Sequence, residues 1–178
     1  MERVEVVVVV RRPVEEVWRL LTDMKAYSDA FGQSLGERYR LTSPGQLGLG
    51  SIVEANVYRV TSPEPLGLGA IADADLWQVG QITEFEPNRV ITISMPAPGR
   101  KVRHPAMQRG TLSHRLDAIP GGTRFITSVD IEPKAEVVRN LPALRTRWQE
   151  RVRSAVAGFK QVAERGLPEA SSAGGGKQ

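Results

Sequence analysis

The sequence contains no cysteine. That excludes a disulfide framework, thiolate metal sites and a cysteine nucleophile. Histidine is nearly absent too: His104 and His114 are the two in the chain, too few for a multi-histidine metal centre. No metal and no cofactor is expected. No apolar run approaches the roughly 20 residues of a membrane span. The opening Met1-Glu2-Arg3-Val4-Glu5 is acidic, and the valine run after it is too short and wrongly flanked for a signal peptide. A cytoplasmic protein is the expectation. There is no P-loop, no glycine fingerprint leading into a helix and no nucleophile-elbow serine. Gly45 to Gly50 and Gly67 to Gly69 lie between strands, so they lack the helix N-terminus that phosphate binding uses. No carboxylate pair stands on an inward parity. The basic residues are not interleaved with exposed aromatics, which argues against nucleic acid, and a net charge of +4 permits an anionic partner without requiring one.

What the chain does have is a long amphipathic stretch near its end. Over 140–166, Leu141, Leu144, Trp148, Val152, Ala155, Phe159 and Val162 recur at three- and four-residue steps, forming one apolar stripe. Arg145 and Arg151 flank it, and Glu150, Arg153, Gln161 and Glu164 lie opposite. Asn140 is a candidate N-cap, Pro142 fits the first turn, and Gly166 with Pro168 is a stop signal. Such a helix offers roughly 35 Å of apolar face at about 1.5 Å per residue, and it needs a partner surface of similar length.

The partner is upstream. Val4 to Val10 reads as a strand with Val4, Val6, Val8 and Val10 inward. Its outer face carries Val7 and Val9, either covered by a loop or the chain's own helix, or forming a subunit contact in a homodimer. Pro13 opens a helix containing Val14, Val17, Trp18 and Leu21; Asp23 ends it or caps a second helix over Met24 to Phe31. The period then changes to two. Strands are expected over Leu35–Leu41, Ser51–Thr61, Asp75–Phe85, Val90–Met95, Met107–Ile119 and Arg124–Ile131, with Pro120-Gly121-Gly122-Thr123 as a hairpin turn. The order is strand, two short helices, six strands, long helix. It predicts an α+β fold: a seven-stranded curved antiparallel sheet around the C-terminal helix, in one domain over 1–166. Residues 167–178 are small and polar, and are expected to form a disordered tail. A curved sheet gripping a helix leaves an apolar cavity suited to small molecules.

Several stretches carry a resemblance. Val8-Val9-Val10-Arg11-Arg12-Pro13-Val14-Glu15-Glu16-Val17-Trp18-Arg19-Leu20-Leu21-Thr22-Asp23, Gly48-Leu49-Gly50-Ser51, Glu84-Phe85-Glu86-Pro87-Asn88-Arg89 and Gly121-Gly122-Thr123 resemble the START/SRPBCC superfamily. This is the helix-grip group that includes birch-pollen-allergen-like proteins, polyketide cyclases and lipid-transfer domains. These motifs set turns and pack the opening helix, so the resemblance speaks for fold more than for function. It implies a hydrophobic ligand (a lipid, a polyketide or another ring-containing molecule) in an internal cavity. The alternatives are a polyketide cyclase or aromatase-type enzyme using that cavity, and a protein-binding domain like the helix-grip chaperone activators.

The candidate site follows from parity. Trp77, Val79, Gln81 and Thr83 share one face of their strand; Ile93 and Met95 face inward from the next; Leu112 and His114 share a face of the long strand. Trp148, Val152, Ala155 and Phe159 are the helix side of the wall. His114 stands either as a ligand-orienting or proton-moving group or as a core histidine. Arg59 stands as a buried cation for a carboxylate or phenolate, or as a strand-end residue reaching solvent. Tyr39 offers a hydroxyl at the wall or simple packing. Gln81 and Thr83 are pocket polar groups unless a bulge turns them outward. Arg100, Lys101, Arg103 and His104 form a basic loop that contacts an anionic ligand, a membrane surface or solvent; Pro65-Leu66-Gly67-Leu68-Gly69 suits a mobile lid.

Overall fold

The computed structural model describes residues 1–35, 38–56, 77–101 and 106–165. Seven strands form one antiparallel sheet: β1 (Glu2–Val10), β2 (Arg38–Leu41), β3 (Ile52–Asn56), β4 (Trp77–Glu86), β5 (Val90–Met95), β6 (Met107–Ile119) and β7 (Gly122–Pro133). Their spatial order is β1-β7-β6-β5-β4-β3-β2. Two helices, α1 (Val14–Thr22) and α2 (Met24–Leu35), follow β1, and α3 (Leu141–Arg165) follows β7 through a 3-10 turn at Ala135–Asn140. This is the expected helix-grip arrangement.

Local chemistry explains the joints. Pro13 precedes α1 with an extended backbone, and Glu15 and Glu16 occupy the first turn, where the helix dipole favours acid. Asp23 does two jobs. It ends α1, and its carboxylate accepts hydrogen bonds from the Lys25 and Ala26 amides, capping α2. Helix α2 runs to Leu35, so the strand expected from Leu35 begins only at Arg38. The long hairpin between β6 and β7 turns at Gly121, whose φ is +80°.

On β1 the alternation holds: Val4 and Val10 are buried, Val6 and Val8 half-buried. Val7 and Val9 are 51% and 45% exposed, and no described element covers them. They stand in a polar face. Arg3 pairs with Glu5 and Asp130, Ser128 donates to Glu5, and Arg124 pairs with Asp117. The Ser128 hydrogen bond, aided by Arg3, holds the Glu5 carboxyl below its ordinary pKa.

Helix α3 is fastened to both ends of β1. Arg145 lies 3.7 Å from Glu2. At the far end the Glu164 carboxylate accepts from the Arg11 amide at 3.0 Å, and Arg12 donates to the Glu164 carbonyl at 2.8 Å. An arginine on a C-terminal carbonyl suits the helix dipole.

Three apolar clusters form between these layers. One joins α1, α2 and the C-terminal half of α3 through Leu21, Phe31, Phe125, Val156 and Phe159. A second joins Val4, Met107 and Ile131 to Leu144 and Trp148. The third lies on the sheet, at Val53, Ile82, Ile91 and Ile93.

Candidate functional site

The site is the space where these three clusters meet. It is a cavity of about 170 Å³ between α3, α2 and the sheet. From the first cluster come Tyr27, Phe31 and Ala155; from the second, Met107, Ile131 and Trp148; from the third, Val53 and Ile93. Met95, Leu112 and Val129 complete the aliphatic wall, with Val152 on the helix side. Two small residues stand at the wall, one on the helix side and one on the sheet side. Ala155 interrupts the helix stripe. Gly80 interrupts β4, and a Cβ there would lie 2.6 Å from Ile93 Cγ2 and 3.1 Å from Met95 Cγ.

Of the residues expected at the wall, Tyr39, Ile93, Met95, Leu112, His114, Trp148, Val152 and Ala155 line the cavity. Phe159 does not. It is fully buried behind the wall, stacked on Phe31 at 4.9 Å and against Phe125 at 4.7 Å.

Strand β4 corrects the parity reading. A bulge separates Ile82 from Glu84 in its pairing with β5. Before it the inward residues are Gly80 and Ile82; after it Phe85 is inward, 5.2 Å from Trp18. An added residue reverses which parity faces the core. Val79, Gln81 and Thr83 therefore do not line the cavity. Gln81 donates to the Gly50 carbonyl, and exposed Thr83 bonds Ser94. The side chain of Trp77 lies outside the described residues, as do Arg59, Arg103, His104, the 65–69 stretch and the tail.

One end of the cavity is polar. His114 is only 1% exposed, with Nε2 3.0 Å from Tyr27 Oη and Nδ1 3.0 Å from Thr127 Oγ1. Phe31 and Phe125 stack on its ring at 5.2 and 5.4 Å. Desolvation pushes its pKa from 6.5 down to about 3, so the imidazole is neutral near pH 7 and one nitrogen accepts while the other donates. Tyr27 packs edge-on against Tyr39 at 5.0 Å. Sequence reasoning missed Tyr27, Phe31 and Thr127. Tyr27 and Phe31 showed themselves as an i, i+4 helix pair, and Thr127 shares the inward parity of Phe125 on β7, but nothing local joins them to His114. Among the described residues, no group of three or more His, Asp or Glu is placed to hold a metal ion.

The family model for polyketide cyclase/dehydrase and lipid transport matches residues 1–164. The chain belongs to that family. Solved structures agree on the fold. The Zhui aromatase/cyclase from Streptomyces sp. R1128 is 18% identical, with 96% of this chain and 98% of the other covered and a TM-score of 0.67. A protein from Thermus thermophilus is 14% identical over 90% of this chain and 95% of its own, with a TM-score of 0.64. Ara h 8.0201 is 9% identical over 93% and 99%, with a TM-score of 0.58. At such identities the likeness is one of fold. No curated protein sequence matches the chain. The polyketide cyclase/dehydrase and lipid transport family supports hydrophobic-ligand binding or cyclase chemistry in general terms, and no described helix is long and apolar enough to cross a membrane.

Proposed function

We propose that this domain binds a compact hydrophobic small molecule between α3 and the sheet. One observation carries the reading: an apolar cavity of about 170 Å³ left open where three packed clusters meet. An apolar void of roughly 150 Å³ accepts a single benzene ring, whereas drug-sized pockets start near 300 Å³. The described walls therefore suit a one- or two-ring body or a short acyl chain. The neutral pair Tyr27–His114 at one end supplies a hydrogen-bonding group for orientation.

Titration with the neutral two-ring fluorophore 1-naphthylamine tests this. Saturable one-to-one binding, lost when Ala155 is enlarged, is expected. Absence of saturable binding overturns the reading.

A second reading, an aromatase- or cyclase-type enzyme, is favoured by the convergence of Tyr27, Tyr39, His114 and Thr127 on one end of the cavity. An imidazole with a pKa of about 3 is a poor base near pH 7. In that reading His114 positions Tyr27, and a tyrosine hydroxyl meets the substrate. Unchanged cyclisation after Tyr27→Phe and Tyr39→Phe would remove it.

A further inference from the structure

Tyr27, His114 and Thr127 form a chain along the polar end of the cavity, joined by two hydrogen bonds, Oη to Nε2 and Nδ1 to Oγ1. The imidazole is neutral near pH 7, so it carries one N–H. Each hydroxyl carries one O–H. Three hydrogens therefore serve two bonds, and one is left over whichever way the chain runs. With the proton on Nε2, Thr127 donates to Nδ1 and the spare O–H is on Tyr27. With the proton on Nδ1, Tyr27 donates to Nε2 and the spare O–H is on Thr127. Both partners of the ring are hydroxyls, which donate and accept alike, so the ring's own bonds impose neither direction.

The two ends of this chain are not equivalent. Tyr27 has further interactions, as do Tyr39 and Arg151 among the lining residues. The Thr127 hydroxyl bonds only His114 among the described residues. It is buried, and it lines the cavity from the same face of β7 as Val129 and Ile131. A buried donor without an acceptor is costly, and the aliphatic wall beside Thr127 offers none. A ligand oxygen that only accepts would complete the set, whereas a ligand N–H or O–H would bring another hydrogen to a place that already has one to spare. Given that the cavity is a ligand site, as proposed above, we propose that it selects compact apolar carbonyl compounds: Thr127 Oγ1 donates to the carbonyl oxygen, and His114 holds its proton on Nδ1 to leave that donor available.

Displacement of bound 1-naphthylamine from the full chain by two matched compounds tests this. They are acetophenone and α-methylstyrene, in which a methylene replaces the carbonyl oxygen at nearly the same shape. Thr127→Val keeps the outline of the side chain without its hydroxyl. It should weaken acetophenone about fivefold and leave α-methylstyrene within about twofold, and Thr127→Ser should keep most of the acetophenone affinity. Nitrogen NMR of the His114 ring is a second readout on the native protein: in the acetophenone complex Nδ1 carries the proton. Thermal melts check that the variants fold, and should Thr127→Val not fold, the NMR readout decides. Failure of acetophenone to displace the fluorophore, an equal loss for both compounds in Thr127→Val, an acetophenone affinity untouched by it, or a proton on Nε2 in that complex overturns the proposal and leaves the cavity reading standing. If 1-naphthylamine itself does not bind saturably, the cavity reading fails and the proposal fails with it.

Discussion

Acidification is expected to destabilise this domain through His114, by an amount that follows from its burial. The ring is enclosed, both nitrogens are bonded to neutral hydroxyls, and no acid is paired with it. Its folded pKa is about 3, against roughly 6.5 in an unfolded chain. Above about pH 6.5 neither state holds the extra proton, and His114 contributes no pH dependence. Between about 6.5 and 3 the unfolded chain binds a proton that the folded chain refuses, so each pH unit lowers stability by about 1.4 kcal/mol. At pH 5 the accumulated loss is about 2 kcal/mol. Below about 3 it levels off. Urea unfolding near pH 7.5 and pH 5, on the native protein and on His114→Gln, reads this directly. Carboxylates contribute equally to both proteins, so the native one should lose about 2 kcal/mol more than the variant. NMR is an independent readout, because the chain has just two histidines to assign. The His114 ring should stay neutral down to pH 5. A ring titrating near 6.5, or equal pH dependence in the two proteins, would refute the reasoning.

Other outcomes follow from the same geometry. Ala155→Leu places three more carbons in the cavity; at about 0.8 kcal/mol per buried methylene it should hold or raise stability, whereas overpacking a filled core costs about 1–3 kcal/mol, and a thermal melt distinguishes the two. The same variant should weaken binding of the neutral fluorophore more than tenfold, as a fluorescence titration would record. Gly122→Ala puts a Cβ against the Val10 carbonyl oxygen, so the β1–β7 junction must shift; a loss above about 2 kcal/mol is expected in chemical denaturation. Asp23→Ala removes the cap of α2 and should cost about 1 kcal/mol in the same assay, with no change in ligand preference.

The fold was legible because its signals are local and periodic. The valine alternation on β1, the two-residue period of β6 and the stripe on α3 each declare a face from neighbouring residues alone. The cavity side of α3 was legible for the same reason, from Trp148 through Ala155. Strand β4 was not, because parity counting assumes an unbroken pleat and the bulge after Ile82 breaks it; Gly80, a glycine in mid-strand, was the available sign of close approach. Nor could the partners of His114 be read. Tyr27 lies 87 residues away, and no pattern along the chain reports contacts across such a separation. Arg151 sat at the edge of a helical wheel, where a rim residue and a wall residue look alike.

The fastening of α3 to β1 has a consequence for how the protein is made. The bonds from Arg11 and Arg12 to Glu164 join residues 153 and 152 apart in sequence. Ribosomes deliver β1 early and α3 after every strand, so the part of the sheet's inner face that α3 covers, around Val4, Met107 and Ile131, has no partner until the helix is made. Closing contacts of that span fold slowly, and an uncovered sheet is a target for chaperones and for aggregation. The element that forms one wall of the cavity is thus also the step that ends the nascent chain's exposure, and changes along its inner stripe bear on yield in the cell as well as on affinity.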